Sequence, residues 1–198
     1  FHDQSEDIST QLVRYEQALT GADLPDIPLH ASPLMNGHGD YERLDLVMRK
    51  HLLYAFFIML QRLPVRYATF LYRKSEFNGI ENLAVRMKRD IVNYLFDHLE
   101  LFQSFDKVKV YYDGGQPTIT QALHGSIEFA LSKEAVLYRK GSPSDYRLMQ
   151  AADFICTIEL TDHKYRHNEQ TATDERFFGS YGTFKRNWLK QVRRHLLQ

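Results

Sequence analysis

Apolar positions along the chain alternate between a helical period and short β-branched runs. Ile8, Leu12, Tyr15 and Leu19 keep one face apolar from a start at Ser5-Glu6-Asp7 to a stop at Gly21. The acids there suit the positive end of a helix dipole. Residues 23–39 hold Pro25, Pro28, Pro33, Gly37 and Gly39, which predicts turns with a short extended piece at 28–31. Residues 41–63 predict a long apolar helix ended by Pro64, because proline removes a helical donor. The aromatic, β-branched run at 65–72 (VRYATFLY) predicts a strand. Leu83, Met87, Ile91, Leu95 and Leu99 place an amphipathic helix over 80–102. A second strand is expected at 108–112 (VKVYY), a helix at 118–131 and a third strand at 135–139. A helix at 146–161, a polar loop at 162–182 and a basic helix at 183–198 complete the chain.

Strands separated by helices imply βαβ units, so the expected fold class is α/β. The length of 198 residues suits one domain. The most apolar run, 52–60 (LLYAFFIML), is about half of the ~20 residues a spanning helix needs, so no membrane partner is expected. Its uniform greasiness does admit other protein subunits as partners. The N-terminus lacks the basic-then-apolar pattern of a signal peptide. A single cysteine excludes a disulfide framework and a multi-thiolate zinc site, and it fits a reducing cytoplasm. Gly-x-Ser-x-Gly, Gly-Lys-Ser/Thr and Gly-x-Gly-x-x-Gly are all missing, which removes support for a serine hydrolase, a P-loop NTPase and a Rossmann dehydrogenase. The formal net charge is zero, but it is segregated. Residues 1–45 carry nine acids against Arg14 and Arg43, whereas 46–110 carry eleven bases against six acids. Nucleic acid therefore stays open as a partner, although the solvated faces of different helices account for the same segregation.

Two carboxylates stand out. Asp113 follows a predicted strand and precedes a Gly-Gly turn, the place where open α/β sheets build sites; turn chemistry alone also explains it. Asp153 sits in the apolar segment LMQAADFIC at 148–156, where its charge requires a cation, an arginine or a helix N-terminus. His30 lies between prolines, where a lone histidine is more often a structural hydrogen-bonder than a ligand. His163 and His167 share an i, i+4 spacing without the zinc-protease glutamate and read as a polar loop pair. Cys156 reads as a small buried hydrophobe.

The order Leu29-His30-Ala31, then Val110-Tyr111-Tyr112-Asp113, then Leu148-Met149-Gln150-Ala151-Ala152-Asp153 resembles the bacterial 3800 family of domains of unknown function. That family is grouped with ribonuclease H-like folds. The resemblance runs from Phe1 to about Leu160, and Gln-Ala-Ala-Asp-Phe-Ile is its most specific piece. It implies a mixed sheet with flanking helices, and a nuclease-like site that uses Mg2+ or Mn2+. Asp113 and Asp153 would be catalytic metal ligands there, with His30 beside them as a proton carrier or hydrogen-bond donor, and Arg86, Lys88 and Arg89, or Lys185 and Arg186, would position the phosphate backbone. The family opens with a strand carrying Tyr-x-Asp-Glu-Ser-Gly. The chain begins with Phe rather than Met, and the better alignment places Phe1 at the tail of the second strand, so the first acid is expected upstream. If Asp3 is that acid instead, the motif is degenerate. A domain without catalysis, binding protein or nucleic acid, is the alternative the resemblance leaves.

Overall fold

A computed structural model describes residues 1–112, 117–131, 136–141 and 146–197, apart from the Lys140 side chain. The elements are α1 (Ser9–Gly21), α2 (Ala31–Asn36), α3 (Leu46–Leu60), α4 (Ile80–Asp97), α5 (Leu99–Gln103), β1 (Val108–Tyr112), α6 (Pro117–Ala130), β2 (Val136–Lys140), α7 (Arg147–Arg166) and α8 (Ala172–Phe178). A helical C-terminal stretch follows, comprising α9 (Tyr181–Phe184), a π turn (Lys185–Leu189), α10 (Lys190–Val192) and a 3-10 turn (Arg193–His195). The chain is thus mostly helical with a small parallel sheet. Where the sequence suggests one domain, contacts divide it into two compact units: Phe1–Thr69 with Gln150–Gln198, and Phe70–Met149.

Several boundaries differ from expectation for local reasons. The first helix starts at Ser9 rather than near Ser5, because Asp3 and Asp7 each fold back on the amide two residues ahead, at 2.9 and 3.0 Å. Such side-chain turns compete with helix. The long helix starts at Leu46 rather than Tyr41, because Asp45 caps it by accepting from Met48 N at 2.8 Å. The expected strand at 65–72 is not one. Among the described residues it makes only isolated bridges, Val65 with His2 and Tyr67 with Leu196. The expected helix over 80–102 breaks at His98, whose ring bonds to Tyr94 O at 2.9 Å.

The largest correction concerns 162–182, read as a polar loop. Helix α7 continues to Arg166, and α8 occupies much of the remainder. Thr171 and Asp174 form a reciprocal capping box that starts α8. The polarity that suggested a loop comes partly from caps and buried ion pairs, such as Lys164 with Asp174 at 3.1 Å.

The unit made of the chain ends has an aromatic core. Phe154 on α7 lies 5.8 Å from Phe56 and 5.9 Å from Phe57, both on α3. Trp188, on the π turn, packs 4.5 Å from Phe57 and 5.1 Å from Phe178. Tyr15 on α1 meets Phe56 edge-on. Because α3 is apolar on nearly every side, it is covered by several elements rather than one.

The second unit is a βαβ piece with α4 and α5 added. Strands β1 and β2 pair in parallel with Val108 opposite Val136, so a crossover is required and α6 lies within it. Proline opens α6 where no helical donor is needed. The core is aliphatic, built from Ile91, Leu95, Ile127, Leu131 and Val136 around Phe102.

Candidate site around Asp153

The extended piece before α2 pairs with no strand among the described residues, so its amides need other acceptors. They find them on side chains. Leu29 N donates to Gln150 Oε1 at 3.0 Å, His30 N to the Tyr41 hydroxyl at 2.9 Å, and Ala31 N to Asp153 Oδ2 at 2.7 Å. The Tyr41 hydroxyl in turn donates to Pro28 O at 2.7 Å. Gln150 and Asp153 lie one turn apart on α7, so one helix face presents both acceptors. Of the compensations open to Asp153, the structure shows a helix N-terminus, since Ala31 is the first residue of α2.

The far end of α2 is held as firmly. Arg49 Nη1 donates to Leu34 O and Met35 O at 3.0 and 2.9 Å. Gly37 ends the helix at φ +70°, and a Cβ there would come 3.1 Å from Arg49 Nη1. Both the left-handed backbone and the guanidinium demand glycine.

Asp153 is half-buried, and its second oxygen, Oδ1, engages no hydrogen bond among the described residues. A hard divalent cation takes such carboxylate oxygens, so the donor fits Mg2+ or Mn2+ in kind. Among the described residues no three His, Cys, Asp or Glu side chains converge, and Asp153 enters as a single ligand. The His30 side chain is exposed and makes no hydrogen bond among the described residues. Asp113 lies outside the described residues.

Below Asp153 on the same helix lies a charge network that the sequence reading missed. Glu159 and Asp162 are only 5% and 1% exposed. Arg193 spans both, with Nη2 at 2.6 Å from Glu159 Oε2 and 2.8 Å from Asp162 Oδ2. Arg166 reaches Asp162 at 3.0 Å, and the Tyr67 and Tyr181 hydroxyls donate to Glu159 and Asp162 at 2.5 and 3.1 Å. Two acids meet two guanidiniums, so the buried charge balances. Burial first, then the Glu159 carboxylate, push the Tyr67 phenol far above its usual value. A signal was present in the sequence: Glu159 and Asp162 continue the helical spacing of Ile155 and Ile158, and so face inward.

The expected phosphate contacts fare unevenly. Arg86 is tied to Asp90 at 2.7 Å, with Arg89 3.6 Å from the same carboxylate. Lys88 meets no carboxylate among the described residues. In the tail, Lys185 and Arg186 are exposed, while Arg193 is committed to the internal network. His163 and His167 sit on α7 and just past its end, rings 4.0 Å apart, rather than in a loop. Cys156 is exposed rather than buried. No helix among the described residues is long and apolar enough to cross a membrane. Comparison with protein-family models, with characterised proteins and with solved structures finds no match to this chain.

Proposed function

We propose that this chain is a nuclease-like domain of the 3800 family, with a ribonuclease H-like fold, cleaving phosphodiesters in the cytoplasm with Mg2+ or Mn2+. The observation that carries the reading is the state of Asp153. Its motif, Gln-Ala-Ala-Asp-Phe-Ile, aligns the side chain so that Ala31 N holds one oxygen while the other is unengaged among the described residues. Holding one oxygen fixes the carboxylate without spending its second donor, which is how a positioned ligand is prepared. The parallel βαβ piece is a component that a ribonuclease H-like sheet requires, and it supports the fold by analogy only. A bound divalent ion supplies charge neutralisation at phosphate and an acidified water. On this reading His30 carries a proton or donates a hydrogen bond from its exposed ring, and Asp113 is a further carboxylate ligand.

The test is cleavage of single- and double-stranded nucleic acid by the full-length protein with Mn2+ or Mg2+. Asp153→Asn is the informative variant, because its amide oxygen can still accept from Ala31 N while the charge is gone. A folded, inactive Asp153→Asn and an inactive Asp113→Asn support the reading. Cleavage at the parental rate by Asp153→Asn sinks it.

One observation favours a second reading, a binding scaffold without catalysis. Gln150, Tyr41 and Asp153 together satisfy three consecutive amides, a task that needs no metal. Under this reading the parent cleaves nothing, and Asp153→Ala loses stability while Asp153→Asn does not.

A further inference from the structure

We infer that the outer face of α4, beside Phe129 of α6, is a contact surface for single-stranded nucleic acid. The inference rests on the nucleic-acid reading above for its ligand class, but it concerns binding and not cleavage. Two features of the Phe70–Met149 unit carry it.

The first is aromatic. Phe129 is 65% exposed and Phe96 47% exposed, in a unit whose core has room for aliphatic side chains. The two rings meet edge to face, centroids 6.0 Å apart at 84°. In that arrangement the edge of one ring is directed at the face of the other, and both rings keep surface exposed to solvent. Val92 and Val85, the latter 69% exposed, extend the apolar strip one and about three turns along α4 from Phe96.

The second is charge. Val85, Lys88, Arg89, Val92, Asn93 and Phe129 line a shallow cleft of about 270 Å³. Lys88 reaches across to α6 at Gly125, where a Cβ would lie 3.6 Å from its ammonium. No carboxylate lies within ion-pair distance of it among the described residues. Asp90 spends itself mainly on Arg86, at 2.7 Å against 3.6 Å for Arg89. The cleft therefore presents an unpaired ammonium and a loosely paired guanidinium next to an exposed aromatic ring.

That combination matches a strand of phosphates with splayed bases. Cations take the backbone, and a base stacks on the ring without reading sequence. A duplex hides its base faces and offers the ring nothing. An acidic peptide would satisfy the cations but leave the aromatic face without its best partner. Arg86, whose charge is already met, has no part in the surface.

The experiment is fluorescence anisotropy of the full chain with labelled dT and rU oligonucleotides of about twelve bases in EDTA at low salt, with a matched duplex as competitor. EDTA prevents cleavage, so failure of the nuclease reading leaves the measurement intact. The expected result is salt-sensitive binding of single strands and weaker binding of duplex. Phe129→Leu keeps the apolar contact but removes the stacking face, and lowers affinity about tenfold. Lys88→Gln weakens binding and flattens its salt dependence by about one phosphate contact. Arg14→Gln, at an exposed arginine of the other unit, leaves affinity unchanged. No binding by the parent, duplex binding as tight as single-strand binding, or a Phe129→Leu variant that binds like the parent would each overturn the inference.

Discussion

The two compact units solve the same packing problem with different materials. The unit formed by the chain ends packs Phe56, Phe57, Phe154, Phe178, Phe184 and Trp188 against one another and encloses Glu159 and Asp162 with their cations. The central unit relies on a handful of aliphatic side chains and leaves Phe96 and Phe129 outside. Aromatic rings bury large areas each, and a buried acid tolerates no loss of its partner. The first unit is thus stiff and intolerant. The second has less to lose by any one change.

The contrast can be broken most directly at Phe154. Phe154→Ala removes a ring that meets Phe56, Phe57 and Trp188, and a loss of about 4 kcal/mol is expected in urea unfolding. A loss below about 2 kcal/mol would mean the aromatic core collapses around the gap as an aliphatic one does. Next in size is Arg193→Leu, which strands Glu159 and leaves Asp162 to Arg166. About 3 kcal/mol is expected, and simultaneous Glu159→Gln restores part of it. In the central unit, Ile127→Ala should cost about 2 kcal/mol, seen as faster hydrogen exchange of α4 and α6 amides with α7 protection retained.

The smallest effect is a pH dependence. Tyr67 is buried and held protonated, its phenol raised above the ordinary 10.0 by desolvation and by Glu159. The folded state keeps this proton where the unfolded chain has released it. Its stabilisation is therefore complete below the unfolded value and falls as pH rises past it, by up to about 1.4 kcal/mol per pH unit. Comparing urea midpoints of the parent and Tyr67→Phe at about pH 9 and about pH 11 isolates the effect. Equal slopes would show that Tyr67 is not the responsible group.

The sequence made some of this legible. The strands at 108–112 and 136–140 and the helix between them follow from β-branched runs flanking a helical period, and they appear nearly where expected. Asp153 could be recognised as an acid needing compensation, because its neighbours are apolar. What compensates it could not be read, since Ala31 lies 122 positions away and no local pattern encodes such a contact. The segment 162–182 failed for the opposite reason. Its polar residues are local signals, but Asp162 and Asp174 turn inward to ion partners, which composition cannot distinguish from exposure to water. Asp113, the other acid of the expected pair, lies outside the described residues.

The extended piece before α2 carries a consequence for the order of folding. Its amides are claimed by Gln150 and Asp153, 121 and 122 residues along the chain, so nothing nearby except Tyr41 can fix its shape early. Closing so long a loop is entropically demanding and is repaid only once α7 has arrived. The residues around His30 are therefore set late, and the geometry of this corner becomes a checkpoint that only a nearly finished molecule passes.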